Sequence, residues 1–257
     1  MPGNEIQCVV KAVGVLELMA RTRRAMSLGE IAGEMGLAKS SAHRLLATLR
    51  GLGLVEQSRS DGRYALGLHL FELGGAVDSA WHITELARPY LQRVAGETGE
   101  SVCLSLLHNG EALILDFMES PSAFHVVTRI GATLPVHCTV QGKVLLAYQS
   151  GAEVKRILRA RGMRAYTPHT ICTFEALAAE LEAIRAQGYA VCDGEFHVGL
   201  TSVAAPIRGG DGRVSYALSV VSMFCRAGSP AFVRARELVL EAAGQISAAL
   251  GRQGRED

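Results

Sequence analysis

The feature that most constrains this chain is the stretch of residues 27–64, which predicts two helices joined by a tight turn. Ser27 and Glu30 form a capping box, in which the hydroxyl and the carboxylate each accept an otherwise unpaired backbone N–H at a helix start. Gly36 ends this first helix, because glycine adopts the left-handed conformation of a helix exit without strain, and a second helix begins near Lys39. Each helix has one apolar stripe at helical spacing: Leu28, Ile31, Ala32 and Met35 in the first, and Ala42, Leu45, Leu46 and Leu49 in the second.

A hairpin is predicted after the second helix. Two short strand-like runs, 55–57 and 64–66, flank Asp61-Gly62, a dipeptide typical of hairpin turns. Helix, turn, helix and hairpin together predict a winged helix-turn-helix whose second helix enters the major groove of DNA. An upstream helix, with Val9, Val13, Leu16 and Ala20 on one side, is expected to complete its core. The side chains predicted to contact DNA are polar or cationic: Ser27, Lys39, Ser40, Ser41, His43, Arg44, Thr48, Arg59 and Arg63.

The alternative is a pair of amphipathic helices that pack together without binding nucleic acid, since short motifs also arise by chance. The agreement of capping box, turn glycine, polar helix face and basic wing favours DNA. The charge distribution fits modestly: the chain has a net charge of +1, yet residues 1–64 carry nine Lys and Arg against six Asp and Glu. So weak a basic excess predicts that several copies bind the DNA operator together, as a homodimer or homotetramer.

Composition narrows the class of protein. The chain has 257 residues, of which 49% are hydrophobic, enough for one large or two ordinary domains. It has no apolar run long enough for a membrane helix, and its first residues lack the pattern of a secretion signal. We therefore expect a cytoplasmic protein without a membrane partner. The six cysteines are scattered without a C-x-x-C pair, which predicts free and mostly buried thiols.

The remainder of the chain predicts an α+β domain. Residues 66–82 carry apolar residues at helical spacing and predict a linker helix, so the expected domains are 1–65, 66–82 and 83–257. Beyond the linker, two strand-like runs are joined by Asn109-Gly110, a strong hairpin signal. The further elements predicted are a strand over 124–130, helices over 142–148, 153–161 and 174–187, strands at 191, 202–208 and 213–223, and a terminal helix over 230–250. An antiparallel sheet with flanking helices suits a small-molecule sensor.

Four segments, in this order, carry a family pattern: "EIAGEMGLAKSSAHRLLATLRGLG", "YALGLHLFELG", "LPVHCTVQGKVLLA" and "ELEAIRAQGYAVCDGEFHVGLTSVAAPI" followed by "ALSV". In them the chain resembles the isocitrate-lyase-regulator (IclR) family of transcription factors over nearly its whole length. The resemblance implies an N-terminal winged helix, a linker helix, a GAF-like C-terminal domain that binds a metabolite, and dimers that pair into tetramers. It also implies an effector pocket lined by Ala123, Val126, Leu134, Val140, Gln141, Cys192, Leu200, Ser202, Ser219 and Val221. Members often have a small residue at position 140 and an acidic one at position 192.

The chemistry of the predicted pocket suggests a class of effector. A helix opens near Gln141, and the unpaired N–H groups of a helix N-terminus suit a carboxylate. Apolar residues predominate in the rest of the lining, and Val140 leaves little room for several rings. These features predict a small organic acid, with a mono-aromatic carboxylate such as a hydroxybenzoate ahead of a short oxo-acid. The alternative is that the segment is an ordinary packed turn without a ligand.

Two further chemistries need weighing, and neither is favoured. Cys138 beside His137, or Cys192, could serve a cysteine-dependent hydrolase or a thiol redox sensor. If residues 137 and 138 lie on a strand, however, their side chains point to opposite faces. His137-Cys138 and Cys192 with His197 invite a zinc site, but these pairs, adjacent or five apart, do not have the spacing of a structural zinc motif. We therefore predict a regulator rather than an enzyme, with no metal and no cofactor.

Overall fold

The computed structural model describes residues 6–122, 128–223 and 226–253. The chain divides into two compact units, residues 1–81 and residues 82–257. The long helix over 78–98 runs across the division between them.

The first unit is a winged helix-turn-helix. Its elements are α1 (Gln7–Thr22), α2 (Leu28–Glu34), α3 (Lys39–Gly51), β1 (Val55–Gln57), β2 (Tyr64–Leu66) and α4 (His69–Gly75). The capping box of α2 is present: Ser27 Oγ accepts from the Glu30 N–H at 3.3 Å, and Glu30 Oε2 accepts from the Ser27 N–H at 2.8 Å. Gly36, at φ +61°, makes the left-handed exit after α2. The sequence-based prediction of this module is confirmed.

Helix α1 packs through a different face from the one expected. Its buried residues are Val15, Leu18 and Met19, whereas Val9 and Val13 are 54% and 47% exposed. The helix has apolar residues on two sides, so spacing alone did not identify the side that faces α2 and α3. The first unit therefore leaves an apolar face of α1 open.

The segment predicted as one linker helix over 66–82 has a different local structure. Leu66 is the last residue of β2 and pairs with Val55. Two helices follow, α4 and α5 (Asp78–Thr98), with residues 76 and 77 between them. The break comes directly after Gly74-Gly75, where glycine disfavours a continuing helix.

The second unit is a three-layer α+β domain. Its remaining elements are β3 (Ser101–His108), β4 (Glu111–Met118), β5 (Thr133–Leu134), α6 (Val140–Ala147), α7 (Gly151–Arg161), α8 (Phe174–Gln187), β6 (Ala190–Asp193), β7 (Thr201–Arg208), β8 (Val214–Ser222) and α9 (Pro230–Gln253). The strands form one antiparallel sheet in the order β5-β4-β3-β8-β7-β6. Helices α5 and α9 pack on one face, and α6, α7 and α8 on the other. The predicted α+β class is confirmed.

The segment before α6 departs from the prediction. Residues 128–130 are not in a strand, and the edge strand is the short β5; residues 123–127 lie outside the described part of the chain. Residues 136–139, which contain His137 and Cys138, form a series of bends rather than a strand. Pro135 interrupts strand pairing there, because proline lacks the N–H that a ladder needs. Within the described ranges, no helix is long and apolar enough to cross a bilayer.

Candidate functional site

The first candidate site is the outer face of α3. Ala42, Leu46 and Leu49 are buried in the core of the first unit. The side chains predicted to read DNA lie on the opposite, exposed side of the helix: Lys39, Ser40, Ser41, His43, Arg44 and Thr48. The Thr48 hydroxyl donates to the backbone carbonyl of Arg44 at 3.0 Å, and the Arg44 side chain is exposed. This face has the composition and exposure that a major-groove helix needs.

The wing is tied to α2 through Arg63. Its Nη1 donates to the Ala25 carbonyl and to Glu30 Oε2, each at 3.2 Å. Arg24 Nη1 binds the other carboxylate oxygen of Glu30 at 2.8 Å. The Ser27 backbone N–H, the Arg24 side chain and the Ser27 hydroxyl lower the pKa of Glu30 to about 2. Ser27 and Arg63 thus have structural tasks in addition to the DNA contact that the sequence predicts.

A second set of contacts fixes the turn of the wing, and the sequence did not indicate it. Arg50 Nη1 donates to Gln57 Oε1 at 2.6 Å, and Gln57 Nε2 donates to the Gly62 carbonyl at 3.0 Å. Arg50 lies in the last turn of α3, so this chain of bonds sets the position of the wing against the recognition helix. Arg59, near the tip, is exposed and remains available for a phosphate.

The second candidate site is a cavity in the second unit, between the sheet and the start of α6. Its volume is about 110 Å³, somewhat less than the roughly 150 Å³ of an engineered cavity that holds one benzene. Seven of the predicted effector residues line it: Leu134, Val140, Gln141, Cys192, Leu200, Ser202 and Val221. Nine lining residues were not predicted: Ser101, Cys103, Phe117, Thr128, Cys138, Thr139, Glu195, Phe196 and His197.

Three predicted effector residues are not among those that line the cavity. Ala123 and Val126 lie outside the described residues. Ser219 is fully buried and is paired across β3 and β8 with Cys103, which lines the cavity in its place. Directly paired residues of an antiparallel sheet point to the same face, so Ser219 lies on the cavity side of the sheet without bordering the cavity.

The N-terminus of α6 forms one wall of the cavity. Thr139 is the N-cap residue, but its hydroxyl donates to the Pro135 carbonyl at 2.5 Å and caps no helix N–H. A Cβ on Gly142 would come within 2.4 Å of Val136 Cα, so only glycine allows the preceding bends to lie this close to the helix. The first turn therefore presents backbone N–H groups without a side-chain cap, which is the geometry that binds carboxylates.

A buried ion pair lies next to that wall. Lys143 Nζ on α6 is 2.5 Å from Glu195 Oε1 and 3.5 Å from Glu180 Oε1. Burial alone would lower the pKa of Lys143, but Cys192 and the hydrogen bond and charge of Glu195 outweigh it, and the pKa is raised. The second oxygen of Glu195, Oε2, is buried and has no hydrogen-bond partner among the described residues.

The three thiols of the cavity are poor nucleophiles. Burial raises the pKa of Cys103 and of Cys138 to about 12 and holds that of Cys192 well above its usual value. His137 Nε2 lies 2.9 Å from the Arg164 carbonyl and so is engaged away from Cys138. Since the thiolate is the reactive form, the structure gives no support to hydrolase or redox chemistry here. Nor do the described residues contain a group of three or more His, Cys, Asp or Glu side chains arranged to hold a metal ion.

Comparisons with known proteins assign both units. Residues 8–59 match the model of the IclR helix-turn-helix domain, and residues 75–248 match that of the bacterial transcriptional regulator IclR C-terminal domain. The chain is 34% identical to the HTH-type transcriptional regulator XynR of Escherichia coli, over 96% of this chain and 98% of the relative. It is 29% identical to the transcriptional repressor IclR of the same organism, over 96% and 91%.

The fold is similar to that of solved regulators. An IclR homologue from Microbacterium hydrocarbonoxydans, crystallised in complex with 4-hydroxybenzoate, superposes with a TM-score of 0.84 at 29% identity, covering 95% of this chain and 98% of the homologue. The matching families and the relatives named above are transcriptional regulators, not enzymes.

Proposed function

Since the chain belongs to the IclR family of bacterial transcriptional regulators, we propose that it is a repressor of a catabolic operon whose release is controlled by a small organic acid. The relatives whose names call them repressors support repression rather than activation of transcription. An operator on chromosomal DNA would place this activity in the cytoplasm.

The observation that carries the proposal is the cavity at the uncapped N-terminus of α6. Its walls are largely apolar, with Leu134, Val140 and Val221 among them, while Gln141 and Ser202 add polar groups. An apolar body with one anionic group fits this lining, because the first turn of α6 stabilises the charge and the walls bury the remainder. A volume of about 110 Å³ excludes compounds with several rings. We therefore favour a mono-aromatic carboxylate, and the relative that was crystallised with 4-hydroxybenzoate supports this class.

The exposed apolar residues of the first unit support the proposed homodimer or homotetramer. Val9 and Val13 on α1 are about half exposed, and Phe71 on α4 is 71% exposed. Exposed apolar patches of this kind mark sites of association. A second copy of the chain that covers them would also bring a second recognition helix to a pseudo-palindromic operator.

The function is tested by titrating the protein against DNA from upstream of its own gene, with and without a panel of small acids. We expect a shifted complex that one or more carboxylates release, and a rise in melting temperature with the same compounds. Ser202→Ala should weaken the response to the acid while operator binding is retained. Ser105→Ala is the matched control, since that hydroxyl is fully buried and does not line the cavity. Release and stabilisation by sugars or amines alone would contradict the proposal.

A further inference from the structure

We propose that the loop between β6 and β7 is a gate over the cavity. Its moving part is residues 196–199, the gate segment, and the contact of the Phe196 ring with Tyr166 holds it closed. The proposal rests on the proposed function for the identity of the molecule that enters, whereas the gate itself can be tested without any ligand. It gives a role to Phe196 and Tyr166, which the sequence pattern did not single out.

The exposure of the lining residues places the entrance of the cavity beside this loop. Nine of the sixteen lining residues are buried and six are partly buried, whereas His197 is exposed. Next to it on the gate segment, Val198 is 73% exposed. An exposed lining residue borders solvent as well as the cavity, so the wall is thin at His197. We therefore place the entrance at the gate segment.

The first half of the loop is fixed in place. Glu195 Oε1 is 2.5 Å from Lys143 Nζ on α6. The Thr170 hydroxyl donates to the Glu195 carbonyl, and the Thr167 hydroxyl donates to the Gly194 carbonyl, each at 2.7 Å. Residues 194 and 195 are thereby held by α6 and by the segment 167–170, so motion in the loop has to occur beyond them.

The gate segment itself has few bonds. Among the described residues, the hydrogen bond from the Leu200 N–H to the His197 carbonyl, at 3.2 Å, is the only one that it makes. Gly199 has φ +84°, and apart from its chain neighbours no atom lies within 4 Å of the position that a Cβ would take there. An exposed segment with few hydrogen bonds opens at low free-energy cost, and a hinge residue absorbs the change of φ and ψ. Gly199 is the hinge that this geometry provides.

An aromatic contact closes the gate. The Phe196 ring lines the cavity and meets the Tyr166 ring edge to face, with 4.9 Å between the centroids and an angle of 61° between the ring planes. Tyr166 is 42% exposed and does not line the cavity, and its N–H donates to the Thr170 hydroxyl at 3.0 Å. It therefore belongs to the same segment that holds Glu195. Edge-to-face pairs are modestly stabilising, so the contact favours closure but can be broken by thermal motion.

The thiols of the cavity report opening in the unliganded, full-length protein. Cys138 and Cys192 line the cavity and are buried, whereas Cys8 is exposed in the first unit. The probe is methyl methanethiosulfonate, a small reagent whose attachment to each cysteine is followed over time by peptide mass spectrometry. Tyr166→Ala removes the closing contact without changing the lining. Labelling of Cys138 and Cys192 should become about twofold to tenfold faster, the factor expected from the loss of one aromatic pair, while that of Cys8 is unchanged.

Three control variants separate the gate from other causes. Tyr166→Phe keeps the ring and should be labelled at the wild-type rate. Val198→Ala alters an exposed side chain of the gate segment that does not line the cavity, and should also have no effect. Leu134→Ala widens the cavity from β5, at the opposite edge of the sheet from β6. Faster labelling in Leu134→Ala than in Tyr166→Ala would place the entrance at β5 and overturn the inference, as would equal rates in Tyr166→Ala and Tyr166→Phe.

Global unfolding also exposes thiols, and its contribution is known from urea unfolding of the wild-type protein. If the gate opens by itself, Cys138 and Cys192 of the wild type react faster than the population of unfolded molecules allows. Labelling limited to that population would overturn the inference, and this comparison decides even if Tyr166→Ala fails to fold.

The gate and the proposed function can fail separately. If no small acid releases the operator, the effector class is wrong, and the labelling rates still decide on the gate. If acids release the operator but Tyr166→Ala is labelled like the wild type, the proposed function stands and only the gate is refuted.

Discussion

Replacing Lys143 with methionine should destabilise the protein strongly, because it would leave the Glu195 carboxylate buried without its counter-ion. The two side chains are 1% and 10% exposed, and the bond between them measures 2.5 Å. Breaking such a pair by removing one partner costs about 3–5 kcal/mol, since desolvation of the remaining charge is no longer compensated. For a domain of this size we expect a fall in melting temperature of roughly 6–20 °C.

The double variant Lys143→Met/Glu195→Gln isolates the interaction. With both charges removed, the penalty for an unpaired buried carboxylate disappears, and only the smaller cost of a buried amide, about 1–3 kcal/mol, remains. The double variant should therefore be more stable than Lys143→Met alone. Because the pKa of Lys143 is raised, its contribution is complete below the ordinary lysine value of about 10.4 and is lost only as the pH rises through the higher folded value. Measurements at pH 7 thus capture all of it.

Urea unfolding followed by circular dichroism, without ligand, supplies the four free energies of the cycle. Equal slopes against urea in all four proteins are required, because a changed slope indicates a changed denatured state. A coupling energy of at least about 1 kcal/mol is expected for residues in direct contact. If Lys143→Met lies within about 0.5 kcal/mol of wild type, the typical range for surface substitutions, the ion pair is not a structural element of the cavity and the reasoning fails.

The remaining predictions concern the first unit. Arg44→Ala should weaken binding to the specific operator by about 1–3 kcal/mol if Arg44 reads a guanine. An unchanged footprint with this variant would contradict the prediction that α3 enters the major groove. Arg59→Ala should lower affinity for all DNA sequences and flatten its salt dependence, whereas Arg63→Ala should also destabilise the fold, since Arg63 binds Glu30. Ser27→Ala should cost about 0.5–2 kcal/mol of stability through the lost cap. Because the pKa of Glu30 is lowered to about 2, its contribution should be present above about pH 4.3 and lost as the pH falls toward 2; a Glu30→Gln variant with unchanged acid sensitivity would argue against this.

The winged helix could be predicted from the sequence nearly residue by residue because its signals are local. A capping box, a glycine at a helix exit and an Asp-Gly turn each act within four residues, and all three appear where they were expected. The buried side of α1 could not be predicted, because it depends on which of two apolar faces meets the other helices. The only sequence signal for the break between α4 and α5 was Gly74-Gly75. The structure ends α4 at Gly75 and begins a new helix, α5, at Asp78.

The residues of the cavity were predicted only in part, because some of them are brought together by contacts between distant positions of the sequence. Residues near the start of α6 could be identified from a local pattern, and Val140 and Gln141 do line it. Glu195 could not, because its significance comes from an ion pair with Lys143, which lies 52 positions earlier in the sequence. The one signal in the sequence was a lysine within the apolar run of α6, since a lysine buried by such a helix needs an acidic partner from elsewhere in the fold.

An acid bound as proposed would stabilise the folded second unit, because the cavity that binds it does not exist in the unfolded chain. Its acid group would bind the first turn of α6, and its apolar body would contact Leu134, Val140 and Val221. At a ligand concentration one hundred times its dissociation constant, binding to the folded state adds about 2.7 kcal/mol of stability. A mono-aromatic acid that makes both contacts should therefore raise the melting temperature more than a short acid without a ring at the same concentration, because its lower dissociation constant gives the larger stabilisation.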